Sequence, residues 1–187
     1  MESSKMNLPN KITMLRILLI PFFVFFMLTN QIPYSKYIAA FIFIVASLTD
    51  TLDGYLARRY NLVSNFGKFV DPLADKLLVC SALICFVALP DNPMPVWGVI
   101  IIISRDFIIS GFRLVASDAG VVIAAGWWGK IKTVVQMLMS VLLILNLDGE
   151  IINIAEYIFI YAAILLTIIS LVDYLWKNRE VLDDGKM

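Results

Sequence analysis

Six apolar stretches, each long enough to cross the hydrocarbon of a bilayer, limit what this chain can become. They run over about 10–30, 35–60, 66–89, 94–118, 128–147 and 151–177, and a spanning helix needs roughly 20 residues. Turn chemistry separates them: Thr29-Asn30-Gln31 before Pro33, Pro90-Asp91-Asn92-Pro93, Ser117-Asp118-Ala119-Gly120, and Asp148-Gly149. Inside hydrocarbon the backbone must satisfy its own N–H and C=O groups, so continuous runs of this length are expected to be helices. The prediction is an all-α integral membrane protein with six transmembrane helices. It forms one membrane domain over 1–187, with a polar N-terminal segment at 1–9 and a polar tail at 178–187. Composition agrees: 60% of the residues are apolar and 16% charged, where a soluble domain has about 45–50% and about 25%. Pro9 suits a helix start. The first run follows a basic, polar N-terminus and lacks a small-residue cleavage site, so it does not read as a removed signal peptide. Met6-Asn7-Leu8-Pro9 would make a natural start.

The chain has no histidine, which excludes Ser-His-Asp and Cys-His catalysis, His-ligated zinc and His-ligated haem. Cys80 and Cys85 lie in one apolar run without metal-ligand company or disulfide spacing, and read as core packing. The 15 acids balance the 15 bases, so net charge points to no nucleic acid. Position is more telling. With six spans both termini share a side, and every base except Lys36 falls on that side or within a helix near it. The positive-inside rule makes that face cytoplasmic. The opposite loops are short and mildly acidic, with Asp91, Asp148 and Glu150.

Four aspartates stand where a membrane helix should have none. Asp50 and Asp53 lie near the cytoplasmic end of the second run, Asp71 and Asp75 near the cytoplasmic start of the third. A charge in a span costs on the order of 2.5–3.5 kcal/mol unless it is paired or solvated. Spacings of three and four put each pair on one helix face. The short connection between the runs makes their helices antiparallel neighbours, so four carboxylates converge at the membrane edge. Like charges so close repel unless cations neutralise them. All-oxygen sites suit hard divalent ions such as Mg²⁺, Mn²⁺ or Ca²⁺, and four acids can hold a two-metal centre for displacement at phosphorus. Gly54 and Gly67 allow close approach of backbone, metal or ligand. Pairing with Arg58, Arg59, Lys68 and Lys76 as ordinary interfacial charges leaves the spacing and the glycines unexplained.

The pattern Asp50-x2-Asp53-Gly54-x2-Ala57-Arg58-x8-Gly67-x3-Asp71-x3-Asp75 sets eight positions over 26 residues and resembles the signature of the CDP-alcohol phosphotransferases. The resemblance implies transfer of a substituted phosphate from a CDP-linked donor to an acceptor hydroxyl, with release of CMP. It implies two divalent metal ions, Mg²⁺ or Mn²⁺, on Asp50, Asp53, Asp71 and Asp75, with Asp75 as general base for the acceptor. Gly54, Ala57, Arg58 and Gly67 are implied on the CDP side, where a planar, permanently charged guanidinium suits a diphosphate. Homodimerisation is a further implication.

Two more segments, NLPNKITMLRILLIPFF and residues 104–133, are similar to those of bacterial phosphatidylglycerophosphate synthases within that family. This implies CDP-diacylglycerol as donor, glycerol 3-phosphate as acceptor, and the bacterial plasma membrane as location. An anionic acceptor calls for fixed cations, and the resemblance assigns its phosphate to Arg105, Arg113 and Lys130. Arg105 and Arg113 are eight apart, about 80° around a helix, and Arg105 lies deep in its run. The chain departs from the family where Asp106 stands in place of an expected glutamate. Snorkelling to anionic headgroups is the alternative for Arg113, Lys130 and Lys132. Asn10, Thr13 and Arg16 fit polar contacts on the CDP side, or capping and anchoring. Trp127 and Trp128 read as interfacial belt residues, and Asp173 as a partner for Lys177.

Three other functions stay open on sequence alone. The same chemistry with serine or inositol phosphate as acceptor is the nearest. A divalent-cation transporter predicts acids spread through the membrane depth, whereas these cluster at one edge. A membrane scaffold leaves the aspartate spacing without a reason.

Overall fold

The computed structural model describes residues 8–29, 31–59, 65–90, 92–118, 123 and 126–179, with the side chains at 8–10, 50–59, 65–69, 71, 72, 75, 117 and 118 outside that description. Six helices follow one another: α1 Leu8–Leu28, α2 Ser35–Arg59, α3 Asn65–Ala88, α4 Val96–Asp118, α5 Trp127–Leu145 and α6 Glu150–Lys177. No strand occurs among the described residues. Each boundary lies within about two residues of the apolar run that predicts it, inside the ordinary fraying of helix ends.

Local chemistry accounts for the ends. α5 stops where Asn146 enters the left-handed region at φ 40°, ψ 61°, its N–H donating to the Leu142 carbonyl. Gly149 then precedes α6 at φ 156°, a conformation that costs a residue with a Cβ. Tyr34, at φ 64°, lends its carbonyl to the N–H groups of Tyr37 and Ile38 and so starts α2. Pro21 sits inside α1, which a membrane helix tolerates when neighbours re-satisfy the freed carbonyl.

The chain forms two compact units, residues 1–89 and 90–187. In the first, α1 packs along α2 and α3, and α2 packs on α3. Its core joins Phe23 and Met27 of α1 to Phe43 and Ala46 of α2 and to Leu78, Ala82 and Phe86 of α3. The Phe23 and Phe43 rings lie 5.7 Å apart. Small residues such as Ala39, Ala46, Ala74 and Ala82 are buried where helices approach. In the second unit α6 packs on both α5 and α4, around Ile102, Ile109, Met139, Leu143, Ile144 and Ile160. α4 and α6 come so close at Gly98 that a Cβ there would lie 2.6 Å from Ile164 Cδ1.

Outside these cores the helices carry large apolar side chains that water would not accept. Phe22 is 58% exposed beside a fully buried Phe23, and Phe41, Ile84, Ile100, Leu114, Val134, Ile158 and Leu165 are similarly bare. Such continuous apolar surface marks contact with lipid. Among the described residues, α1 over Lys11–Leu28, α5 and α6 are long and apolar enough to cross a membrane. Among the described residues, Ser35–Thr49 of α2 and Lys76–Ala88 of α3 are shorter apolar helical stretches. This is an all-helical membrane protein.

Candidate active site

Two polar regions interrupt the apolar helices, one in each unit. In the first, the helical backbone of α2 carries Asp50 and Asp53, and that of α3 carries Asp71 and Asp75. Residues three and four apart share a helix face, and these two helices pack directly on each other. Gly54, Ala57 and Arg58 follow on α2, and Gly67 precedes on α3. The side chains of all eight positions lie outside the described residues. Among the described side chains, no group of three His, Cys, Asp or Glu comes together to hold a metal ion.

A buried cation supports this region from the neighbouring helix. Arg16 of α1 is 1% exposed, and its Nε donates to the Ala46 carbonyl of α2 at 3.1 Å. That carbonyl, one turn before Asp50, also accepts from Thr49 Oγ1 at 2.7 Å. Thr13, one turn earlier on α1, is buried as well. An arginine held this deep costs several kcal/mol unless its donors are satisfied. Its burial excludes the reading of Arg16 as a surface anchor. Asn10 has its side chain outside the described residues.

The second unit assembles charges from three helices. Arg105 of α4 donates from Nη1 to Asp106 Oδ1 at 3.0 Å and from Nε to Ser170 Oγ of α6 at 3.1 Å. Lys132 of α5 donates from Nζ to both oxygens of Asp106, at 2.6 and 2.8 Å. The Arg105 and Lys132 side chains are 11% and 3% exposed, so these are inward, desolvated pairs. Two turns further along α4, the Arg113 guanidinium lies 5.5 Å from the centre of the Tyr174 ring. Phe112 meets the same ring edge-on at 5.7 Å. Arg113 Nε and the Tyr174 hydroxyl are both buried without a hydrogen-bond partner among the described residues. Lys130 is on the exposed face of α5.

The three cations expected on the acceptor phosphate therefore differ. Arg105 is tied into a network, Arg113 stacks on Tyr174 with its Nε unbonded among the described residues, and Lys130 is exposed. Lys132 corrects the snorkelling reading, since it turns inward to Asp106 instead of out to headgroups. Ser170 carried no signal in the sequence. The one available hint was Asp106, a carboxylate in a helix interior that needs more than its neighbour Arg105 to offset its burial. Trp127 and Trp128 are exposed, in keeping with a belt position, and Asp173 pairs with Lys177 at 2.7 Å.

Comparison with known proteins bears on both regions. A family profile described as CDP-alcohol phosphatidyltransferase matches residues 6–169. A Bacillus subtilis protein named CDP-diacylglycerol–glycerol-3-phosphate 3-phosphatidyltransferase is 46% identical over 189 residues, covering 94% of this chain and 97% of the relative. A Haemophilus influenzae protein of the same name is 42% identical, covering 97% of this chain and 98% of its own. A Mycobacterium tuberculosis protein named probable phosphatidylglycerophosphate synthase is 41% identical, covering 90% of this chain and 79% of its own.

Proposed function

The chain belongs to the CDP-alcohol phosphatidyltransferase family, and from that premise we propose that it transfers a phosphatidyl group from CDP-diacylglycerol to glycerol 3-phosphate, giving phosphatidylglycerol phosphate and CMP. The observation that carries this reading is the likeness, over more than nine tenths of the chain, to relatives named for that reaction. The motif from Asp50 to Asp75 lies within the matched region.

The donor set on α2 and α3 fits a divalent metal centre. It offers four carboxylates, at helical spacings of three and four on two packed helices, in a chain with no histidine. Hard oxygen ligands of this kind suit Mg²⁺ or Mn²⁺. Asp50, Asp53, Asp71 and Asp75 would hold two such ions, which supply charge neutralisation for the diphosphate and for the departing CMP. Arg58 binds the diphosphate, with Gly54, Ala57 and Gly67 giving room on the CDP side. Asp75 accepts the proton of the acceptor's C1 hydroxyl. The oxygen then bonds to the phosphorus bearing diacylglycerol, and that phosphorus loses its bond to the CMP oxygen. Arg105, Arg113 and Lys130 bind the acceptor's phosphate. The buried, unbonded Nε of Arg113 favours its part in this.

The reading extends to topology. Six spans with both termini cytoplasmic, in a bacterial plasma membrane, place the aspartates at the cytoplasmic edge. The donor's acyl tails then stay in lipid while its head group and a water-soluble acceptor reach one interface. The charge distribution supports this, since Lys36 alone among the bases falls on the opposite side. The active form in this reading is a homodimer.

A radiolabelled acceptor panel tests the assignment. Purified protein with CDP-diacylglycerol and Mg²⁺ should convert glycerol 3-phosphate into labelled lipid. Preferential use of serine or inositol phosphate would move the chain to another acceptor class within the family.

A further inference from the structure

A guanidinium on a long side chain has many rotamers, and each one frozen costs entropy. At Arg105 the neighbours settle the direction. Asp106 holds Nη1 and Ser170 holds Nε. The Ser170 hydroxyl can accept from Arg105 because its own proton goes to the Thr167 carbonyl at 2.9 Å. Lys132 grips Asp106 through both oxygens, so the carboxylate cannot swing away. Arg105 and Lys132 thus both pair with the one carboxylate of Asp106. The Nη2 group makes no hydrogen bond among the described residues. It lies against the first turn of α5, where a Cβ on Gly129 would come within 3.2 Å of it.

Given the proposed role of Arg105 at the acceptor's phosphate, on which this step rests, the geometry points to Asp106 as a positioning residue. With Lys132 and Ser170 it fixes the Arg105 guanidinium, and Gly129 leaves the space in which Nη2 is presented to that phosphate. A guanidinium edge oriented in advance binds a phosphate without a further ordering cost. The shorter aspartate at 106 suits this arrangement because Lys132 supplies the reach.

The test uses the full chain in detergent or nanodiscs. It compares KM for glycerol 3-phosphate, KM for CDP-diacylglycerol and kcat. Asp106→Asn should raise KM for glycerol 3-phosphate about tenfold, the scale of one charge-assisted hydrogen bond, with kcat and the donor's KM within about twofold. Asp106→Glu, which keeps the charge, should recover most of that loss. Gly129→Ala keeps every hydrogen bond of the network but crowds Nη2, and should raise the same KM severalfold. Thr133→Ala, whose hydroxyl bonds among the described residues only to the Gly129 carbonyl, should leave all three constants unchanged. The proposal is overturned if Asp106→Asn and Gly129→Ala keep the wild-type KM for glycerol 3-phosphate. It is equally overturned if Asp106→Asn lowers kcat and weakens both substrates together with a lower melting temperature, unrelieved by Asp106→Glu. That outcome means a clasp between helices and nothing more. The functional reading fails separately, in the wild type: if that protein uses inositol phosphate instead, the same variants are judged on its KM.

Discussion

At the scale of single residues, the membrane sets the terms. Each charge in an apolar helix must have a partner or a task, and the partners found here are specific. Arg16 has the Ala46 carbonyl, Arg105 has Asp106 and Ser170, and Lys132 has Asp106. Arg113 stands apart from these, with Nε buried and unbonded among the described residues. A donor left so costs about 1–3 kcal/mol, an expense consistent with a ligand-binding role. Arg113→Ala should therefore raise KM for glycerol 3-phosphate at least about tenfold while the KM for CDP-diacylglycerol stays near wild type. Equal loss for both substrates would count against an acceptor contact. Asp75→Asn removes the proposed base and should lower CMP release by about 10²–10⁴-fold in a protein that keeps its helical circular dichroism. Near-normal turnover would remove Asp75 from that role.

At the scale of elements, the sequence was highly legible in its boundaries and poorly legible in its pairings. Asp148-Gly149 and the run from Pro90 to Pro93 announce the breaks because turns need those residue types, and helix ends fall beside them. Gly149 should be intolerant for the same reason. At its φ of 156°, Gly149→Ala is expected to destabilise the α5–α6 connection by about 1–2 kcal/mol, read as a lower melting temperature in detergent. An unchanged melting temperature would show that the turn accommodates a side chain. The pairings are different. Asp106 and Lys132 are 26 residues apart, and Arg105 and Ser170 are 65 apart. No local period encodes such contacts, because they depend on how helices rotate and cross. The same blindness applies to Phe22 and Phe23, adjacent and equally apolar, of which one faces outward and one is fully buried. In lipid the two environments select the same side chains. The proposed aspartate site stands out in the sequence for the opposite reason. A carboxylate at a helix face in an apolar run is conspicuous, and the spacings of Asp50 to Asp53 and Asp71 to Asp75 are local.

At the scale of the whole molecule, the proposed reaction unites a lipid-soluble donor and a water-soluble acceptor at one cytoplasmic edge. Orientation can be checked directly. Lys36→Cys should react with a membrane-impermeant maleimide in intact cells, and Lys186→Cys only after permeabilisation. The reverse pattern would turn the protein over. Metal-dependent phosphatidyl transfer itself is tested by a mass balance on purified protein in lipid, with CDP-diacylglycerol and labelled glycerol 3-phosphate. One CMP and one labelled phosphatidylglycerol phosphate are expected for each acceptor consumed, with turnover abolished by EDTA and restored by Mg²⁺ or Mn²⁺. CMP released without labelled lipid, or turnover that survives complete removal of divalent ions, would refute it.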